Sequence, residues 1–425
     1  MTFAGLGSII TTQEKGGHWM RILHTADWHL GKNLEGRSRL DEQELFLEDF
    51  VKIVEENNPD IVLIAGDIYD SANPSARAEK LFYDTLKRIS GQGKRITVVI
   101  AGNHDNPQRL VAATPLAMDH GIIMVGTPKT VISPGRYGQH QVTESNEGYV
   151  EIDLGAERAV ILTIPFPSEK RLNEVLYGDM DTDEQRLLTY GDRMKQLFTS
   201  LEGHFREDTV NLIVSHLFVM NSVEGGSERS IQLGGSYIVG GDIFPEKAQY
   251  IALGHIHKPQ VVPGNHIARY SGAPLQYHRG EEIYQKQVLL VDVSAHGEAK
   301  ITSIPLKQYK PIEVWRCKSV TDAISLCQDN AEKVCWVYLE IETGRAILED
   351  EIKQMKQLKE DILEIHPIFP ETQREEGEYR YRERPFHELF QEFYLHERGV
   401  PAPEETMEVL LGLLGKDVEH ETDQT

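Results

Sequence analysis

A chain of 425 residues is long enough for a large catalytic domain and a smaller one, and 40% hydrophobic content describes a soluble globular protein. Its apolar runs are strand-length, short of the roughly 20 residues of a membrane span, and no charged-then-apolar signal peptide is evident, so no membrane association and a cytoplasmic location are expected. The net charge of -23 argues against a broad basic surface, though residues 341–425 hold 22 acidic against 10 basic residues, about half of the excess.

Residues 1–19 show no helix or strand pattern. The stretch EKGGHWM around Met20 reads like a translated ribosome-binding site, so residues 1–19 are expected to be a non-native leader with translation starting at Met20. From Met20 the chain shows five apolar strands, each ending in ligand-type residues: MRILHTADWH, DIVLIAGD, RITVVIAGNHD, VNLIVSH and QYIALGHIH. Between the first three, LFLEDFVKIVEENN carries a helical apolar face and PSARAEKLFYDTLKRIS opens on Pro74 as a helix does. Strand and helix alternate to about Gly121, and the stretch beyond is richer in strands. From about Pro311 the texture changes to a small α+β domain, taken as residues 309–370. A charged linker follows over 371–384, then two short helices over 385–415 and an acidic tail over 416–425. Phe386, Leu389, Phe390 and Phe393 share a face of the first short helix, and Leu410 and Leu414 a face of the second. The three cysteines lack CxxC spacing and are expected to be core thiols.

A lone Asp-x-His is usually a turn and a solvated ring, but repetition at five strand ends changes the weighting. Functional groups of α/β sheets gather beyond the carboxyl ends of strands, which would bring Asp27, His29, Asp67, Asn103, His216, His255 and His257 to one edge. Gly66, Gly102 and Gly254 would let the backbone turn sharply beside them. Seven oxygen and nitrogen donors exceed the four of a tetrahedral zinc site and suit two ions sharing a carboxylate.

The ordered series DWH, GD, GNHD, a lone His after a strand, and GHIH resembles the calcineurin-type metallophosphoesterase superfamily. HTADWHLGK, GNHDNPQR and YSGAPLQY place the resemblance among its bacterial DNA-nuclease subunits. That resemblance implies an α/β fold: a metallophosphoesterase β-sandwich flanked by helices over 20–308, a small α+β capping domain, and a C-terminal helical hairpin that docks a partner. It further implies that Asp27, His29, Asp67 and His257 hold one metal and that Asp67, Asn103, His216 and His255 hold the other. Two Mn²⁺ suit such mixed donors, with Fe²⁺, Zn²⁺ or Mg²⁺ as substitutes. His104, not needed as a ligand, is the expected proton donor, and Asp70 its orienting partner, although archaeal and eukaryotic relatives carry a histidine at the Asp70 position. Lys32, Arg37, Arg109, Arg269 and Ser271 are taken as DNA contacts, with Arg39 and Arg279 in the same basic surroundings.

The implied partners are DNA, as duplex ends, hairpins and single strands, and an ATPase with a long coiled coil, the nuclease chain forming a homodimer within a heterotetramer. This chain carries no G-x-x-x-x-G-K-[ST] loop of its own. A phosphatase of phosphoproteins or nucleotides would use the same two-metal site, but GDIYDS lacks the arginine of the phosphatase motif. A non-catalytic DNA-tethering scaffold would not need an intact donor set.

Overall fold

The computed structural model describes residues 19–176, 189–225, 228, 238–281 and 284–369, together with Phe390, Gln391, Tyr394, Pro403, Thr406 and Met407. The expected leader, apart from Trp19, lies outside the described residues, as do the linker over 371–384 and the acidic tail. Phe386, Leu389, Phe393, Leu410 and Leu414 of the expected docking helices also lie outside them. Phe390 and Tyr394 are helical, with rings 6.0 Å apart. The chain forms two compact units, one running to Glu313 and taking in Val334–Trp336, the other made of Val314–Lys333 and the chain from Val337.

In the first unit, runs such as IVLIA (Ile61–Ala65) and ITVVI (Ile96–Ile100) are buried at every position, the mark of parallel strands covered on both faces. They lie in a six-stranded sheet in the order Lys300–Pro305, Gln287–Val293, Met20–Thr25, Ile61–Ala65, Ile96–Ile100, Ile122–Val125. The last four run parallel, and Gln287–Val293 pairs antiparallel with Met20–Thr25. An eight-stranded sheet faces it, with Tyr250–Gly254, Val210–His216 and Arg158–Ile164 parallel at its centre. Side chains alternate between faces. Ile61, Leu63 and Ala65 enter the core between the sheets, where they meet Val210, Leu212 and Ala252, while Val62 and Ile64 face the opposite way.

Helices seal the two outer faces. Leu40–Asn57 and Ala76–Ile89 cover the first sheet, and Tyr190–Leu201 covers the second. Ser75 caps the second of these helices by accepting the Ala78 N–H, one residue past the Pro74 that the sequence singles out. Trp28, fully buried, packs edge-on against Phe46, Phe50 and Phe82 at 5.5–6.3 Å between ring centroids. The loop that carries Asp27 and His29 is thereby pinned to the helical layer. Truncating so large a buried aromatic costs about 3–5 kcal/mol.

The second unit contains most of a three-stranded sheet, Ile312–Cys317, Trp336–Glu342 and Ile362–Ile368, with helices Val320–Asp329 and Glu349–Leu358 packed together. Cys317, Cys327 and Cys335 are free and buried, and burial pushes the Cys317 and Cys327 thiols up to about 11, away from reactivity. Among the described residues no helix is long and apolar enough to cross a membrane.

Candidate metal centre

The loops after Met20–Thr25 and Ile61–Ala65 run side by side, joined by main-chain bonds from Asp27 to Gly66 (3.0 Å), His29 to Asp67 (3.0 Å) and Leu30 to Ile68 (2.9 Å). Four donor residues sit at positive φ: Asp27 at 56°, His29 at 46°, Asp67 at 50° and His255 at 100°. Such backbone is costly for residues with a Cβ and persists only where neighbours enforce it. Buried Gln43 does so on one side. Its amide donates to the His29 and Trp28 carbonyls at 2.7 and 3.1 Å and accepts from the Gly31 N–H at 2.9 Å. Buried Asp105 does so on the other, accepting the N–H groups of Ile68, Tyr69 and Gly102 at 3.1, 3.0 and 2.8 Å.

Two of the three glycines have a reason other than the one the sequence suggests. Only Gly66 has positive φ; a Cβ on Gly102 would overlap the Asp67 carboxylate, and one on Gly254 the Ala65 carbonyl. They are required for space rather than for a turn.

The seven expected donors come together in two groups. Asp27, His29 and His257 form one and Asp67, His216 and His255 the other, with Asn103 Oδ1 lying 2.9 Å from His216 Nε2 and 3.1 Å from His255 Nδ1. Asp67 lies between them, its Oδ2 3.6 Å from His29 Nε2 and 3.4 Å from His216 Nε2. Burial holds His29, His255 and His257 toward the neutral ring, His255 down to about 3. Burial also opposes a charge on His216, but Asp67 and Asp27 outweigh it and push that ring up to about 9. Asp67 in turn is held well below the usual carboxylate range, the histidines overcoming its burial, whereas burial pushes Asp27 up.

This arrangement fits a bound cation. His29 Nε2 and His257 Nε2 face each other at 3.0 Å, and Asp27 Oδ2 and His29 Nδ1 are buried with no hydrogen-bond partner among the described residues. Buried polar atoms are almost always paired, and neutral imidazoles beside carboxylates are the donors of first-row divalent ions.

Residues 20–259 match the family described as Calcineurin-like phosphoesterase, and residues 308–398 the family described as Type 5 capsule protein repressor C-terminal domain. The chain is 37% identical over 406 residues to the SbcD subunit of the nuclease SbcCD of Bacillus subtilis, covering 95% of this chain and 99% of that one. The chain belongs to the SbcD family of calcineurin-like phosphoesterases. The SbcD proteins of Rhodobacter capsulatus and Staphylococcus saprophyticus are 34% and 27% identical, over 69% and 83% of this chain and 71% and 83% of theirs. A dimetal phosphatase of Danio rerio aligns at 14% identity and a TM-score of 0.34, over 67% of this chain and 98% of that one.

Within this chain, the surroundings of the candidate donors differ from expectation at several residues. His104 lies beside His29, ring centroids 4.7 Å apart, and its Nδ1 is 2.8 Å from the main-chain carbonyl of Asp70. The Asp70 carboxylate, expected to orient that ring, instead pairs with Lys32 Nζ at 2.9 Å and lies 3.6 Å from His29 Nδ1. Ser271 is fully buried, its hydroxyl turned to the Gly272 carbonyl at 3.4 Å, so it offers no surface to DNA. Arg269 sits beside Tyr250 and lines a cavity with Gln249, His266 and His296, toward the end of the Tyr250–Gly254 strand away from His255. Arg39 is buried in a two-pronged bond with Glu42, both contacts 2.6 Å, and donates to the Gln276 carbonyl at 2.7 Å. Arg109 is tied to Glu79 and Asn73, each at 2.8 Å, whereas Arg37 and Arg279 are exposed.

No donor motif points to Gln43, and the sequence assigns no role to Asp105, which closes the GNHD motif. Gln43 carries one signal in the sequence: it is a polar residue on a helix stripe otherwise made of Leu40, Phe46, Leu47 and Phe50.

Proposed function

We propose that this chain is the nuclease subunit of an SbcCD-type complex, a two-metal phosphodiesterase that acts on DNA with an SbcC-like ATPase. Its substrates are duplex ends, attacked as an exonuclease, and hairpins and single strands, cut as an endonuclease, in DNA repair and recombination. The observation that carries this reading is the pair of donor groups, Asp27–His29–His257 and Asp67–His216–His255 with Asn103, sharing Asp67 at the carboxyl edge of both sheets. The name of its relatives, a nuclease subunit, supplies the substrate class.

Mn²⁺ is the ion we assign, with Fe²⁺, Zn²⁺ or Mg²⁺ as substitutes. What bound divalent ions supply is Lewis-acid polarisation of the phosphoryl oxygens and a nucleophilic water at neutral pH. The protein supplies the rest. Asp67, between the groups, holds them in one register and takes the His104 N–H at 2.9 Å. With Nδ1–H donating to the Asp70 carbonyl, the His104 ring presents Nε2 outward, where its protonated form delivers a proton to the leaving oxygen. Lys32, held by Asp70 and only partly exposed, is a cation beside the site that suits a phosphate oxygen. A homodimer within a heterotetramer would pair two such sites.

The test is cleavage of linear duplex and hairpin DNA by the purified full-length chain with Mn²⁺, beside a small phosphoester. DNA cleavage is the expected outcome. Turnover of the phosphoester with none on DNA would make the protein a phosphatase.

A further inference from the structure

His257 is gripped at both ends of its backbone by side chains that no donor motif contains. On the carbonyl side, Lys286 is 3% exposed, its ammonium 2.8 Å from Glu281 Oε2, 3.2 Å from the Tyr284 hydroxyl and 3.5 Å from the His257 carbonyl. The Tyr284 hydroxyl lies 3.2 Å from that same carbonyl and 3.1 Å from Glu281, and the Ala273 N–H donates to the carbonyl at 3.1 Å. Glu281, 4% exposed, takes the Tyr277 N–H at 2.7 Å with its other oxygen. On the amide side, the His257 N–H donates to Glu228 at 2.8 Å, and Glu228 also accepts the Gly225 N–H at 2.6 Å.

Burying Lys286 and Glu281 strips both of hydration, and a buried ion pair is seldom more stabilising than an apolar pair of the same shape. Stability alone is therefore a weak reason for it. Its geometry supplies another, because its hydrogen bonds converge on the main chain of one donor residue. Removing groups that orient a ligating histidine from behind typically costs about 10- to 100-fold in metal affinity.

We infer that Glu281, Tyr284 and Lys286, with Glu228 across the peptide, are positioning residues that set His257 for metal ligation in the Asp27–His29–His257 group. The inference rests on the two-metal reading above. In the other group His216 is braced differently, by the Ala65 carbonyl at 2.8 Å from its Nδ1. Loosening the grip on His257 therefore weakens one ion and spares the other.

The experiment is calorimetric titration of the metal-free full-length chain with Mn²⁺, for the wild type, Tyr284→Phe and the double variant Lys286→Met with Glu281→Gln, each checked by thermal melting. Fewer than two ions bound by the wild type overturns the two-metal reading itself. With two bound there, the variants are expected to weaken one site about 10- to 100-fold and keep the other within about two-fold. The Mn²⁺ concentration for half-maximal DNA cleavage rises in step, while the rate at saturating Mn²⁺ stays near wild type. Wild-type affinity at both sites, equal weakening of both, or a rate that saturating Mn²⁺ leaves low overturns the inference. If the double variant does not melt cooperatively, Tyr284→Phe decides by the same outcomes.

Discussion

Asp67 carries one carboxylate oxygen within 3.6 Å of a histidine in each donor group and takes the His104 N–H on the other. Asp67→Ala is therefore expected to lose bound Mn²⁺ and abolish DNA cleavage, with metal analysis of the purified variant as the check; two full equivalents retained would show that Asp67 does not serve both ions. His104→Ala is a different experiment, because the ring touches Asp70 through its carbonyl and is not needed as a donor. It should keep metal and DNA binding and lose about 10²–10⁴ in rate, measured in single-turnover cleavage. The gathering of the seven candidate donors is legible because each ends or follows an apolar strand, and the strand end is a position that sequence reveals. Burial and partner choice are not so revealed. Arg39, Arg269 and Ser271 look like phosphate contacts in the sequence because a residue's neighbours along the chain say little about which way its side chain turns. Arg39 is the most readable of these, since Glu42 three residues on, across one helical turn, is its partner. Asp105 and Glu281 grip main-chain N–H groups, a role that any turn carboxylate could have and that only folding identifies.

The strand Met20–Thr25 lies at the centre of the first sheet and carries a titratable group of its own in the core. His24 is fully buried, its Nδ1 2.8 Å from the Tyr250 hydroxyl, and burial drives the ring down to about 3. That is below its value in the unfolded chain, about 6.5, so the folded state refuses a proton that the unfolded state accepts. The contribution is constant above about pH 6.5. As pH falls below that, stability drops by about 1.4 kcal/mol per pH unit on account of this one group, until the folded ring protonates near 3. His24→Gln, whose amide keeps a partner for Tyr250, should remove one proton from the pH dependence. Urea unfolding at about pH 7.5 and about pH 5 measures it, and an unchanged difference between the two would show that His24 does not titrate in this range. At this scale the sequence is most informative where a strand is covered on both faces, since IVLIA and ITVVI admit few other readings. Strand order is less accessible. The antiparallel pairing of Met20 with Val293 depends on segments at opposite ends of the domain, which no local pattern reports.

Across the whole chain, all seven donors lie before Lys258, and the acidic excess is concentrated after residue 340. Deleting Pro385–Thr425 should therefore leave Mn²⁺ binding and basal cutting of short single-stranded DNA intact. It should abolish co-purification with the coiled-coil ATPase and ATP-dependent cutting of duplex ends. Pull-down after co-expression checks the first loss and an ATP-dependent nuclease assay the second; undiminished partner binding would place the docking site elsewhere. The layout of the centre also bears on how the protein is made. His29 and His257 stand 3.0 Å apart in space and 228 residues apart along the chain. A ribosome adding about 5–20 residues per second needs on the order of 10 to 45 s to travel between them. Through that interval the nascent chain displays Asp27, His29 and Asp67 without the histidines that complete their groups, and Met20–Thr25 waits longer still for Gln287–Val293. On the two-metal reading, metal loading is expected to follow completion of the domain, so that the ion would be chosen by a finished cage rather than by a growing chain.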